Sequence, residues 1–317
     1  MVDKPKRAGR SQQPRATTPG NKPANKAKHS AAGKDVMQKP WLKKTAAAKS
    51  NANPARQSAQ SAVKSPAHSH GDESKVYGEN ACRVLFSQRP EAIIRLYISQ
   101  QLAPRFADVM KYLAAEKKAY HIVEDAELEK VAASQHHGGI VLLVKRKPIT
   151  GIAQYLSQTK PRRDCLLALD GVGNPHNLGA IARTCAHFGV TGIIMREPQL
   201  LQSGAALRTA EGGGEFISPL SCDDMPLALQ LCKQAGYSLV TTSSHNGQSL
   251  YQTALPQKVV IVFGEEMFGV SKAVASRADI ALQIPGSGKV ESLNVSVAAS
   301  LIVGEWYRQH SENNSLL

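Results

Sequence analysis

The sequence lacks long hydrophobic runs. No window approaches the ~18 consecutive apolar residues that a membrane-spanning helix requires, and the N-terminal residues are rich in Lys, Pro and Ala, without the apolar centre of a signal peptide. We therefore expect a cytoplasmic protein without a membrane segment. With 317 residues, 42% of them hydrophobic, the chain is long enough for two domains with packed cores.

Cysteine is also scarce. The five cysteines are odd in number and form no Cys-x-x-Cys pair, which argues against a disulfide framework and against a zinc site. His136 and His137 are adjacent and do not have the spacing of structural metal ligands. We expect reduced, mostly buried thiols and no bound metal.

Acidic residues are few in the N-terminal quarter of the chain. The excess of Lys and Arg over Asp and Glu there accounts for most of the formal net charge of +14. Residues 1–73 contain 15 Lys or Arg and only four Asp or Glu. They also contain almost no side chain that a core would bury, so residues 1–73 are predicted to be a disordered tail. Clustered Lys and Arg bind phosphates by releasing counterions, so the tail is expected to attract RNA rather than act only as a solubility tail.

The rest of the chain divides into two α/β regions. Residues 74–147 are predicted to form a small RNA-binding domain, and residues 148–163 a linker with a short helix over 152–156. In the small domain, strands or strand entries are predicted at 76–78, 84–86, 93–98 and 139–144, and helices at 103–116 and 125–133.

Residues 164–317 alternate short apolar strands with helices, which is typical of a parallel sheet covered on both faces. The strands are predicted at 166–169, 192–195, 238–241, 259–263 and 280–284. One helix is expected to run from an N-cap at Asp223 or Asp224 to Gly236, and another from an N-cap at Asn294 to about Arg308. The predicted fold class is α/β throughout.

Two glycine-rich turns suggest nucleotide binding, but each lacks a residue that the corresponding binding motif requires. Residues 170–173 follow a strand, yet His176 stands where a dinucleotide-binding turn needs its third glycine, which disfavours a nicotinamide oxidoreductase. Residues 285–289 resemble a phosphate-binding loop, but Val290 replaces the Ser or Thr that would hold magnesium. Nucleotide hydrolysis is therefore not expected.

The segment after the first turn predicts an amphipathic helix. Asn174 is a candidate N-cap and Pro175 suits the first helical position. On a helical wheel Ile181 and Cys185 fall on the apolar stripe, whereas Arg183 falls on the opposite side. Periodicity alone would interpret this arginine as an ordinary solvated charge.

Three segments together resemble the three motifs of the SpoU (TrmH) RNA ribose methyltransferases of the SPOUT superfamily. They are residues 169–184, 262–270 and 284–299, in that order along about 150 residues. Residues 75–147 are also similar, more weakly, to the small RNA-binding domain that often precedes this catalytic domain. Within the family, the long basic tail is similar to that of one bacterial branch.

The resemblance implies a C-terminal domain with a deep trefoil knot, which periodicity would not reveal, and a homodimer with active sites at its interface. It implies S-adenosyl-L-methionine as cofactor. By the same resemblance Gly264, Ile284, Leu293 and Thr242 would contact that cofactor. The reaction would be 2′-O-methylation of structured transfer or ribosomal RNA, and the need for a ribose hydroxyl excludes DNA as substrate.

The catalytic residues also follow from the resemblance. Arg183 matches the family's catalytic arginine, and Asn177 matches the first-motif asparagine, which would orient the arginine or the ribose. Glu266 matches the second-motif glutamate, and Ser292 and Asn294 match the third-motif pair. Asn294 has a purely structural alternative as a helix N-cap, and both roles are compatible.

Some positions depart from the family pattern. Glu265 stands where relatives usually carry a small or neutral residue, Met267 replaces a frequent glycine, and residues 209–215 differ from the usual Ser-Ala-Gly-Ala. These differences put the choice of RNA in doubt. The main alternative is an RNA-binding protein that has kept the fold but lost useful catalysis, against which the matches at Asn177, Arg183, Ser292 and Asn294 argue.

Overall fold

The computed structural model of the protein describes residues 72–158, 161–243, 247–265 and 269–311. The predicted tail lies almost entirely outside these residues, as do two of the positions singled out above, Glu266 and Met267. No helix in the described part of the chain is both long and apolar enough to span a bilayer.

The first part of the described chain, here called the small domain, is built on a four-stranded sheet. Its strands are β1 (Glu73–Tyr77), β2 (Ile93–Ile98), β3 (Ala119–Ile122) and β4 (Ile140–Lys145). The order is β1-β4-β2-β3, with β4 antiparallel to both neighbours and β3 parallel to β2. Its helices are α1 (Glu79–Gln88), α2 (Ala107–Ala115) and α3 (Asp125–Ala132).

Helices cover both faces of this sheet. α1 and α2 bury Leu85 and Leu113 against one face, while α3 packs Leu128 against Val141 on the other. The prediction of a strand at 84–86 is wrong, because these residues lie inside α1. The burial of Ala81, Cys82 and Leu85 follows a helical repeat, which a run of three apolar residues does not reveal.

The second part, here called the large domain, contains an eight-stranded sheet in which all the pairings are parallel. The strand order is β10-β12-β9-β11-β6-β7-β8-β5. The strands are β5 (Thr150–Gly151), β6 (Asp164–Asp170), β7 (Gly192–Met195), β8 (Ser218–Ser221), β9 (Ser238–Thr242), β10 (Gln248–Ser249), β11 (Lys258–Gly264) and β12 (Ile280–Gln283). The parallel α/β fold class is confirmed, and both sheets belong to one compact unit.

Six helices of the described chain flank the large sheet or connect its strands. They are α4 (Ile152–Gln158), α5 (Pro175–His187), α6 (Gly204–Thr209), α7 (Met225–Gln234), α8 (Lys272–Ala275) and α9 (Val295–His310). One core cluster joins α5 and α9 to one face of the sheet, and a second joins α4, α7 and α8 to the opposite face. Every residue of β6 is buried between the two clusters, as expected for a central parallel strand.

The caps of three helices follow the sequence predictions. The side chains of Asn174, Asp224 and Asn294 each accept a backbone N–H from the first turn of α5, α7 and α9. Gly236 follows α7 with a φ of +87°, the left-handed conformation that glycine adopts most easily. These caps fix the positions at which two motif helices begin.

The five cysteines are buried and unpaired. Burial raises the pKa of Cys222 to about 11 and that of Cys232 to about 12, and it raises the pKa values of the other three thiols as well. Thiols of this kind contain little reactive thiolate at neutral pH. They therefore act as small apolar core side chains.

Candidate active site

The carboxyl ends of three neighbouring strands bring together three of the residues expected at the cofactor. Thr242 ends β9 and Gly264 ends β11, while Ile284 follows β12 directly. β9 lies between the other two strands, and Thr242 pairs with Leu282. In open parallel sheets such strand ends are the usual place for a ligand.

Gly264 lies where two stretches of backbone meet. A Cβ atom added at this position would lie 2.0 Å from both the carbonyl carbon and the oxygen of Gly269. The chain folds back here, because the N–H of Gly269 donates to the carbonyl of Glu265 at 2.8 Å. Only glycine fits this approach without moving the backbone of residues 269–270.

The first motif places its arginine on the open side of α5. Ile181 and Cys185 are fully buried against the sheet, whereas Arg183 is exposed. The N-cap at Asn174 accepts the N–H groups of His176 and Asn177 at 2.9 and 3.3 Å, which fixes the start of the helix. The guanidinium therefore projects away from the core from a rigid element.

The first and third motifs meet through two asparagine side chains. The amide nitrogen of Asn294, just before α9, donates to the amide oxygen of Asn177 on α5 at 3.1 Å. The hydroxyl of Ser296 donates to the amide oxygen of Asn294 at 2.6 Å, and its backbone N–H donates to the same oxygen at 2.8 Å. These bonds orient the Asn294 amide towards Asn177, so Asn294 both caps α9 and links two motifs.

The remaining expected residues lie in exposed connections. Ser292 and Leu293 are exposed in the loop that leads from β12 to α9, with 45% of Leu293 accessible. Glu266 lies outside the described residues, so its proximity to the arginine stays a prediction.

Sequence reasoning missed several polar contacts around this site. Arg196 forms an ion pair with the buried carboxylate of Asp170 at 2.5 Å, at the carboxyl end of β6. His176 Nδ1 lies 3.3 Å from the hydroxyl of Thr209. Ser296 was also missed, although Asn-x-Ser at the start of a helix is a signal for a capped N-terminus.

The described residues supply an exposed arginine on α5, two amides oriented by hydrogen bonds, and the carboxyl ends of three neighbouring parallel strands. Such a site can bind an anionic or hydroxylated substrate and stabilise negative charge that develops on an oxygen. In the described part of the chain, no group of three or more His, Cys, Asp or Glu side chains is arranged to hold a metal ion.

Two families of known proteins match the chain. The SpoU rRNA Methylase family matches residues 164–304, and the RNA 2′-O ribose methyltransferase substrate binding family matches residues 75–150. The first match covers the eight-stranded sheet except β5, and the second covers the four-stranded sheet from residue 75 of β1 onwards.

Individual proteins agree with these matches. The chain is 47% identical to the uncharacterised tRNA/rRNA methyltransferase YfiF of Escherichia coli O157:H7, over 75% of this chain and 69% of that protein. It is 31% identical to the 23S rRNA (guanosine-2′-O-)-methyltransferase RlmB of Pseudomonas aeruginosa, over 75% and 97% of the two chains. The AdoMet-bound rRNA methyltransferase of Sinorhizobium meliloti shares the fold, with a TM-score of 0.62 and 20% identity over 76% and 88% of the chains.

Proposed function

Because the chain belongs to the SpoU rRNA methylase family, we propose that it methylates the ribose 2′-hydroxyl of a structured transfer or ribosomal RNA. The proposed methyl donor is S-adenosyl-L-methionine. The observation that carries the proposal is the contact between Asn177 and Asn294, which joins the first and third motifs beside the helix of Arg183. The RlmB relative, whose name specifies guanosine 2′-O-methylation, supports the choice of the ribose oxygen. Such RNA substrates place the reaction in the cytoplasm.

The proposed cofactor site is the edge formed by Thr242, Gly264 and Ile284, together with Leu293. These residues suit a nucleoside ligand because the carboxyl ends of the strands present backbone groups, and the close approach of Gly264 to Gly269 fixes the shape of the turn beside them. When bound, S-adenosylmethionine supplies an electrophilic methyl group on a positively charged sulfur. The AdoMet-bound relative of the same fold supports this assignment.

Arg183 is the proposed catalytic group. A ribose hydroxyl is too weakly acidic to ionise unaided at neutral pH, so negative charge must be stabilised as it develops on the oxygen. A guanidinium almost never loses its proton, so Arg183 acts as a fixed positive charge and hydrogen-bond donor that lowers the effective pKa of the hydroxyl. Its place on the exposed side of α5 leaves it accessible to an RNA.

The other motif residues hold the substrate and the arginine in place. Asn177 and Asn294 position each other through their hydrogen bond, and we expect the pair to orient the ribose or the arginine. Ser292 is proposed to contact a phosphate or to assist the arginine, and Glu266 to hold the guanidinium by a charge-assisted bond. Neither step requires a metal ion.

We also propose that the protein is a homodimer that buries part of α9. The side chains of Val297 and Leu301, four residues apart on this helix, are 47% and 36% exposed. Leu293 extends this stripe towards the site, and exposed apolar stripes of this kind mark protein contacts. The dimer would therefore form next to Asn294.

Replacing Val297 and Leu301 together by Asp is expected to produce a monomer, because two carboxylates would have to be desolvated in the contact. Sedimentation equilibrium should give about twice the chain mass of 34.0 kDa for the unaltered protein. The control is Leu227→Asp, a similarly exposed leucine on α7. An unaltered protein that sediments as a single chain would contradict the dimer.

The basic tail is proposed to add RNA affinity through charge. Deleting residues 1–71, which end just before β1, removes all 15 Lys and Arg of the tail. We expect weaker RNA binding and a smaller slope of log Kd against log salt concentration, with S-adenosylmethionine binding unchanged. Fluorescence anisotropy over a salt series measures the slope, and an unaltered slope would show that the tail does not contact RNA.

The proposal is tested by incubating the protein with methyl-labelled S-adenosylmethionine and total RNA from cells that lack it. Label should enter transfer or ribosomal RNA. If no label enters although the cofactor binds, the chain is instead an RNA-binding protein of this fold without catalysis. Isothermal titration with the cofactor separates this result from an inactive preparation.

A further inference from the structure

A glycine-rich segment of the large domain lies between the small domain and the helix of Arg183. A Cβ atom added at Gly212 would lie 2.5 Å from the side chain of Val84 on α1, and one added at Gly213 would lie 2.9 Å from the Cα atom of Arg183. Two successive residues thus contact the small domain on one side and α5 on the other. Displacing this segment would disturb both.

The same segment ends in a nearly buried ion pair with the small domain. The guanidinium of Arg89 donates to both carboxylate oxygens of Glu215, at 2.5 and 3.3 Å, and also to the carbonyl of Lys145 at 3.0 Å. Only 3% of the Glu215 side chain and 18% of the Arg89 side chain are exposed. Removing one residue of the pair would leave the charge of the other nearly buried and unpaired, which destabilises the contact.

A second cation reinforces this contact from the chain that connects the domains. The ammonium of Lys147 donates to the carbonyls of Gly214, Glu215 and Ile217, at 3.2, 2.8 and 2.8 Å. Burial lowers the pKa of Lys147 although Glu215 acts in the opposite direction. The three carbonyls compensate for the water that the ammonium has lost.

The backbone of Lys147 is held as well. Its N–H donates to the side-chain oxygen of Gln202 at 2.7 Å, and the amide nitrogen of Gln202 donates back to the carbonyl of Lys147 at 3.0 Å. The hydroxyl of Ser74, in β1, donates to the backbone carbonyl of Gln202 at 2.5 Å. We call Arg89, Lys147, Gln202 and Glu215 the interdomain latch.

We propose that the interdomain latch holds the small domain in one orientation against α5, so that Arg89 and Glu215 are positioning residues for RNA methylation. The inference rests on the proposed function, because it concerns how RNA on the small domain reaches Arg183. The latch transmits the position of the small domain through Gly212 and Gly213 to the backbone of Arg183. Nucleotides bound by the small domain would then lie at a fixed distance from the reacting ribose.

The first measurement does not depend on activity. Spin labels are attached at Glu129→Cys in the small domain and Lys272→Cys in the large domain, both exposed positions. The native cysteines are buried and should not be labelled. Doubly labelled chains are mixed with an excess of unlabelled protein, so that distances within one chain dominate even in a dimer. Electron double resonance should then give a narrow distance distribution for the intact latch and a broad one for Glu215→Gln, whereas an equally narrow distribution in Glu215→Gln would overturn the proposal.

The second measurement is methylation of RNA. Glu215→Gln is expected to lower kcat for RNA by about tenfold to a hundredfold, the effect of misplacing a reacting group by about an ångström, while the Kd for S-adenosylmethionine stays unchanged. The matched control is Asp108→Asn, which breaks an exposed ion pair with Arg83 inside the small domain. Equal kcat losses in both variants would overturn a positioning role.

Arg89→Lys provides a second variant in case Glu215→Gln unfolds, because it keeps the positive charge but loses the two-point contact with the carboxylate. Like Glu215→Gln, Arg89→Lys should broaden the distance distribution and lower kcat. If the unaltered protein transfers no methyl group, the proposed function fails. The distance measurement still decides whether the latch fixes the domains.

Discussion

Replacing Arg183 by Ala is expected to lower the rate of RNA methylation by about 10²–10³-fold, the usual cost of removing one group that stabilises negative charge in a transition state. The side chain is exposed on α5 and carries no core packing. The variant should therefore fold normally and bind S-adenosylmethionine as the unaltered protein does. Single-turnover methylation with saturating cofactor measures the loss in the chemical step.

Arg277→Ala is the matched control for this prediction. Arg277 is another exposed arginine, but it precedes β12 and so lies towards the opposite ends of the strands. Its loss removes the same charge from the large domain without touching the site. If Arg183→Ala retains full activity, or if both variants lose activity equally, the assigned mechanism is wrong.

Replacing Gly264 by Ala is expected to have the second large effect. The added methyl group would need the space of the Gly269 carbonyl, 2.0 Å away, so the turn must move. Overpacking of this kind costs about 1–3 kcal/mol. If that cost falls on the cofactor-binding turn, the Kd for S-adenosylmethionine rises by roughly tenfold to a hundredfold, which isothermal titration measures.

The control here is Gly151→Ala, in β5, which forms the edge of the sheet furthest from the proposed cofactor site. A Cβ atom at this position would meet no atom within 4 Å, and the same methyl group is added. Its affinity for the cofactor should be unchanged. A Gly264→Ala protein that binds as tightly as the control would remove Gly264 from the proposed cofactor site.

The large domain was predictable because its strands are buried on both faces. The continuous apolar runs of β6 and β11 predict central parallel strands. The Asn and Asp caps predict where α5, α7 and α9 begin. The short edge strands β5 and β10 gave no such signal, since two residues show no periodicity. In the small domain, β3 was missed because all four of its residues are exposed.

The site was predictable only through the resemblance of its motifs. Periodicity alone placed Arg183 on the open side of α5, which the structure confirms, but assigned it no role. The contact between Asn177 and Asn294 joins residues 117 positions apart, and no local pattern specifies such a pair. The interdomain latch could not be predicted from the sequence either, because the pairing of Arg89 with Glu215 depends on how the small and large domains pack against each other.

The position of the transferred methyl group distinguishes ribose methylation from base methylation most directly. RNA labelled by the protein with methyl-labelled S-adenosylmethionine is hydrolysed with alkali, which cleaves next to a free 2′-hydroxyl but not next to a methylated one. Ribose methylation predicts that the label is recovered in alkali-resistant dinucleotides. Recovery of the label in mononucleotides would mean that a base is methylated and that the protein is not a ribose methyltransferase.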